Sequence, residues 1–121
     1  MTWTKEHTIS FPGTYNFAYY EGDTLEFVIR PKTSGGASFD LTGYTAIFKI
    51  ANVRGSAGTQ YTAQAVATDV SDIVTCTILP AVGRNLAAGT FVYDVQIANS
   101  SQIYTLLTGS ITVTDDITGA V

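Results

Sequence analysis

A chain of 121 residues with 45% apolar side chains has the length of one domain and enough apolar material for a core, yet its 13% charged residues are about half the usual share. A net charge of −4, with six Lys and Arg scattered from Lys5 to Arg84, excludes the basic stripe that nucleic-acid binding needs. A single cysteine, Cys76, excludes an internal disulfide framework, and there is neither an apolar signal segment at the N-terminus nor a run of about 18 apolar residues to cross a membrane as a helix.

Residues 1–6 read as a loose lead-in in which Trp3 is either a docking anchor or a ring folded back onto the domain edge. His7 to Phe11 is a first short strand, and Pro12-Gly13 a turn. Tyr15 to Tyr20 is aromatic and strand-like, and Glu21-Gly22-Asp23 turns the chain into Thr24–Arg30. There Leu25, Phe27 and Ile29 alternate with Glu26, Val28 and Arg30, and Pro31 is expected to end the strand. Lys32 to Ser38 is a Gly-rich loop, Leu41 a plug at the core edge and Gly43 a turn residue. In the strand Tyr44–Ala51, Tyr44, Ala46, Phe48 and Ile50 share one face. Ile47 and Val28 are apolar on outward faces, which fits a covered second face, a bulge or a partner contact. Asn52 to Thr59 is a second Gly-rich loop without a phosphate-cradling pattern.

Gln60 to Thr68 alternates weakly and reads as an edge strand. Ile73 to Leu79 is β-branched and reads as a central strand, with Val74, Cys76 and Ile78 on one face and Cys76 a small core residue. Pro80 to Ala88 is one helical turn or an irregular crossover. The last third is a long hairpin: Phe91, Tyr93, Val95 and Ile97 point one way, Asn99 to Gln102 turns, and Ile103 to Thr114 returns. The inward phase of Tyr104 and Leu106 is opposite to that of Ile111 and Val113, which predicts a bulge at Gly109.

Seven to nine short strands with regular turn signals and no long helix predict an all-β chain, an immunoglobulin-like antiparallel β-sandwich, with a small barrel as the alternative. The whole of 1–121 forms one domain, with 1–6 as lead-in and 115–121 as a C-terminal tail. The Cys…Trp…Cys set of antibody-type domains is missing.

The order G-D-T-L-E-F, F-D-L-T-G-Y-T-A-I-F-K-I, I-L-P-A-V-G-R-N-L-A-A-G-T-F-V-Y-D-V-Q-I and T-L-L-T-G-S-I-T-V-T-D-D-I-T, from Gly22 to Thr118, resembles small tailed-phage virion proteins and the N-terminal domain of baseplate upper proteins. The resemblance implies an immunoglobulin-like module that attaches or adapts parts of a phage particle. It further implies a stand-alone tail, baseplate or fibre-anchoring piece, without the long helical and receptor-facing parts of baseplate upper proteins; a capsid decoration protein is an alternative. The expected location is the virion, assembled in the bacterial cytoplasm, with other virion proteins and further copies of the chain as partners and with no cofactor.

No constellation for catalysis is visible. His7 is the lone histidine, and neither a Ser-His-Asp nor a zinc set can be built around it. Asp40, Asp69, Asp72, Asp94, Asp115 and Asp116 lack the spacing of a calcium loop and read as solvated carboxylates, with Asp94 placed to pair with Lys49 or Arg30 across an outer face. Trp3, Tyr15, Tyr19 and Tyr20 are the candidate interface residues. With Phe17, the three tyrosines are either core, a protein interface or a platform for stacking a host glycan, the basis of an alternative reading as a carbohydrate-binding or adhesion module. Asn99-Ser100-Ser101 matches a glycosylation sequon but reads as a hairpin turn.

Overall fold

A computed structural model describes residues 13–33, 36–53 and 59–114, together with the backbone course of 4–10. The chain is mostly β. Its strands are β1 (Thr4–Ser10), β2 (Gly13–Thr14), β3 (Phe17–Tyr20), β4 (Leu25–Lys32), β5 (Thr45–Ala51), β6 (Gln60–Thr68), β7 (Ile73–Ile78), β8 (Gly89–Ala98) and β9 (Ile103–Thr114), with one short helix, α1 (Pro80–Gly83), between β7 and β8. The sheet order is β1-β4-β7-β6-β5-β8-β9, and β2 and β3 follow one another along the far side of β9.

One continuous, curled sheet with mixed pairing replaces the two separate antiparallel layers expected from the sequence. The link is β6, which reads as an edge strand but lies inside the sheet. Its first half pairs with β5 (Phe48 opposite Ala63, Ile50 opposite Tyr61), and its second half pairs with β7 (Ala65 opposite Cys76, Ala67 opposite Val74). Its alternation is weak because the residues on its inward side after Tyr61 are Ala63, Ala65 and Ala67. Small side chains let the layers converge where the sheet folds over, and that same smallness hides the strand from a hydrophobicity pattern. The second departure is at the edges: β1 runs parallel to β4, and β2 and β3 run parallel to β9.

The core fills the inside of the curl. Leu25, Phe27 and Ile29 of β4 and Val74, Cys76 and Ile78 of β7 face Phe48 and Ile50 of β5, Phe91, Tyr93, Val95 and Ile97 of β8, and Ile111 and Val113 of β9. Phe27 lies edge-on to Phe48 at 5.6 Å and to Tyr93 at 6.4 Å, and Phe17 packs on Tyr93 at 5.2 Å. Offset and edge-to-face rings of this kind each add about 0.5–1.5 kcal/mol beyond the area they bury. Leu41 plugs the core edge and Gly43 turns with φ 82°, both as the sequence predicts.

Three local expectations are corrected. The first strand begins at Thr4 rather than His7, inside the stretch read as lead-in. Pro31 does not end β4: pairing with β7 stops at Ile29, so no partner there requires the missing N–H, and the strand continues to Lys32 beside β1. The bulge of the last hairpin is at Leu106, not Gly109. Val95 lies opposite Leu107 and Gln96 opposite Thr105, so Leu106 is the extra residue, and Leu106 and Leu107 are both buried.

Gly109 has a different task. It faces inward opposite Tyr93, and a Cβ there would overlap the carbonyl oxygen of Tyr15. The kink Tyr15-Asn16 between β2 and β3 is clamped onto β9 at this point. Tyr15 N–H donates to the Thr108 carbonyl (2.9 Å), Ser110 N–H donates to Asn16 Oδ1 (2.9 Å), and the Tyr93 hydroxyl donates to the Tyr15 carbonyl (2.7 Å). The expectations for residues 1–3, 11–12, 34–35, 54–58 and 115–121, Trp3 among them, lie outside the described residues, as does the side chain of His7.

Candidate functional site

The aromatic segment from Tyr15 to Tyr20 does not form a surface platform, because strand alternation divides it. Phe17 and Tyr19 are buried, at 7% and 2% exposure, whereas Tyr20 is 53% exposed. Tyr15 is half-buried and stacked on Phe17 with ring centroids 5.7 Å apart. The Tyr19 hydroxyl donates to the Asp23 carbonyl, and burial, then the Asp23 charge, push its pKa up to about 12. Burial also drives the Tyr93 hydroxyl and the Cys76 thiol well above their ordinary ranges, so neither is a reactive group near neutral pH. Among the described residues no three His, Cys, Asp or Glu side chains come together to hold a metal ion.

Two surfaces stand out instead. The first is the end of the curl where three turns meet: β4–β5, β6–β7 and β8–β9. They are tied together by side-chain hydrogen bonds across long sequence separations. Leu41 N–H donates to Asp72 Oδ1 (3.2 Å), joining the first two, and the Tyr44 hydroxyl donates to Gln102 Oε1 (3.2 Å), joining the first to the third. Leu41 and Tyr44 are the two ends of one tight turn, closed by Tyr44 N–H to the Leu41 carbonyl (3.0 Å).

Each turn is also fixed internally. Asp40 Oδ1 accepts from Thr42 N–H (3.0 Å) and from its hydroxyl (2.7 Å), and these two bonds hold the Asp40 carboxyl below its usual range. Asn99 Oδ1 accepts from Ser101 N–H (2.9 Å) and Gln102 N–H (2.8 Å), the hairpin role expected for the sequon. Asp72 takes the left-handed conformation with φ 53°, which an Asp tolerates.

Among the polar residues of these turns, two large apolar side chains stand exposed. Val70 is 93% and Ile103 68% exposed. At the same turns three partly buried rings meet: Phe39 edge-on to Tyr44 (5.6 Å) and to Tyr104 (5.8 Å), with Tyr44 and Tyr104 6.2 Å apart. Asp40, Asp69 and Asp72 are the carboxylates of these turns. The sequence pattern places Tyr44 and Tyr104 on core faces and does not reveal that they close an end together with Phe39. The available signal was that each ring flanks a turn motif, D-L-T-G or N-S-S-Q.

The second surface is the outer face of β6, β5, β8 and β9. One row of the ladder reads Thr62–Lys49–Asp94–Thr108 in register. Lys49 Nζ donates to Thr62 Oγ1 (2.8 Å), and Thr108 Oγ1 donates to Asp94 Oδ1 (2.6 Å). The expected juxtaposition of Asp94 with Lys49 is therefore present as a directly opposed cross-strand pair. Two shallow hollows flank this row, of about 90 and 160 Å³. Ala51, Val53, Val92 and Tyr93 line the first and Ile47 and Gln96 the second, while Lys49, Gln60 and Asp94 border both.

No family model and no curated protein matches the chain. Among solved structures it is similar to a family 123 glycoside hydrolase from Clostridium perfringens, whose structural analysis concerned glycolipid glycan hydrolysis. The identity is 13% and the TM-score 0.39, over 86% of this chain and 23% of that one. The chain thus spans under a quarter of that enzyme, and a likeness at this level defines neither a fold family nor an activity.

Proposed function

We propose that the chain is a non-enzymatic structural protein of a tailed-phage virion, a tail, baseplate or fibre-attachment module that works through protein–protein contact. The observation that carries this reading is the three-turn end: three turns stitched together by hydrogen bonds, with Val70 and Ile103 exposed at two of them and the partly buried rings Phe39, Tyr44 and Tyr104 flanking them. Exposed apolar and aromatic groups held in one geometry are what a protein interface is made from. The low charge of the chain agrees with a surface meant to be covered.

The phage context comes from the resemblance of Gly22 to Thr118 to virion modules. Its motifs fall on strand openings: Gly22 with φ 84° before β4, Gly43 with φ 82° before β5 and Gly89 with φ 140° at the start of β8. The immunoglobulin-like assignment is supported by strand order. β1-β4-β7-β6 follows the A-B-E-D order of that fold and β5-β8-β9 its C-F-G order, with β6 joining the two and β1 running parallel to its neighbour.

The test is incorporation into particles. When the chain is produced during phage assembly and particles are banded by density, wild type should co-sediment in a fixed ratio to the other tail proteins. Val70→Asp and Ile103→Asp should leave it soluble and folded at the top of the gradient. Particles that complete and infect while wild-type chain stays unbound would overturn the assignment.

A further inference from the structure

We propose that the outer face of β5 and β8 binds a neutral saccharide chain, with Lys49 and Asp94 as its polar centre. This is independent of the three-turn end and of the virion assignment. It also lies away from the Tyr15–Tyr20 segment, whose rings are divided between core and surface.

The chemistry of the face selects the ligand. A cation donor and an anionic acceptor stand directly opposite one another on neighbouring strands, and each is held from the far side, Lys49 by Thr62 and Asp94 by Thr108. Their positions are thereby fixed before any ligand arrives, which lowers the ordering cost of binding. A phosphate or carboxylate drawn to Lys49 would meet the Asp94 carboxylate, and an amine drawn to Asp94 would meet the Lys49 ammonium. Tyr93, the aromatic residue in the lining, keeps its ring in the core at 1% exposure, so a flat aromatic ligand finds no ring face to stack on. A hydroxyl both donates and accepts, so adjacent hydroxyls on a sugar ring can address ammonium and carboxylate together.

The rest of the lining fits the same ligand. Gln60 and Gln96 each offer an amide donor and acceptor, and Ala51, Val53, Val92 and Ile47 offer apolar contact to ring C–H groups. The two hollows meet at Lys49, Gln60 and Asp94, with Ala51 and Val92 at the far side of the first and Ile47 and Gln96 at the far side of the second. From Ile47 to Ala51 is four residues along β5, about 13 Å, a length that a short oligosaccharide spans and a single monosaccharide does not.

The experiment is an amide NMR titration of the full chain with maltotriose, cellotriose and triacetylchitotriose, with sialyllactose as an acidic control, each to about 20 mM, a range that detects millimolar affinity. At least one neutral trisaccharide should shift amides within 47–51, 60–62 and 92–96 saturably. Lys49→Met and Asp94→Asn should each weaken that response about tenfold or more while leaving the remaining spectrum and the melting temperature in place. Ile103→Asp, at the three-turn end, should leave it unchanged. No saturable shift with any neutral sugar, a response that maps elsewhere or survives both substitutions, or an equal response to the acidic control would each overturn the proposal.

Discussion

Two aromatic clusters in this protein use the same ring geometry for different ends. Phe17, Phe27, Phe48 and Tyr93 meet at centroid distances of 5.2–6.4 Å inside the curl, and Phe39, Tyr44 and Tyr104 meet at 5.6–6.2 Å at the three-turn end. The first group is 0–7% exposed, while the second is only partly buried. Ring–ring contact therefore does not distinguish a stabilising cluster from a recognition surface. The water removed behind the rings does, because burial supplies most of the stabilisation and the pairwise ring term is a small addition.

Truncation experiments would break or sharpen this contrast. Phe48→Ala should cost about 3–5 kcal/mol in chemical denaturation, since the ring is fully enclosed between Phe27 and Tyr93. Tyr104→Ala should cost at most about 2 kcal/mol. Equal losses would mean that the end cluster is core. Next in size, Gly109→Ala should destabilise by about 1–3 kcal/mol, because the added methyl group meets backbone rather than a movable side chain. Amide exchange should then rise selectively along Phe17–Tyr20, which depends on the Tyr15-Asn16 clamp. Uniform loss of protection would count against that local account.

Tyr93→Phe keeps the buried ring and removes only its bond to the Tyr15 carbonyl, so a loss of about 1–2 kcal/mol is expected, well under that of Phe48→Ala. The smallest effect is confined to alkaline solution. Folding raises the Tyr19 pKa from 10.0 to about 12. The folded state thus favours the protonated phenol. Its contribution is complete below pH 10 and is lost as pH rises from there through 12. Tyr19→Phe should flatten the decline of stability in that window, measured by urea midpoints, and an unchanged decline would point to Tyr93 or Cys76 as its source.

Much of this was legible from residues alone. The inward rows of β4, β5, β7 and β8 follow from strict alternation of large apolar side chains, and the turns at Gly43 and Asn99 follow from local side-chain chemistry. β6 reads as an edge strand from its sequence because alanines carry little hydrophobic signal. The bulge lies three residues before the position that the sequence predicts because a phase change bounds a bulge without locating it, and Gly109, the conspicuous residue nearby, is glycine for a packing reason. Of the candidate interface residues, Tyr20 is exposed, Tyr19 is core and Tyr15 serves the clamp through its backbone. The three-turn end has no signature in the sequence, since its members are scattered from Phe39 to Tyr104.

What the sequence determined by itself was the β class, the strand faces and the turn chemistry, because each depends on side chains within a few positions of one another. Only the tertiary structure decided how the layers join through β6, which strands run parallel, and which apolar residues face water. Those outcomes depend on pairings between segments dozens of residues apart, such as Leu41 with Asp72 and Tyr15 with Tyr93, for which no local pattern exists.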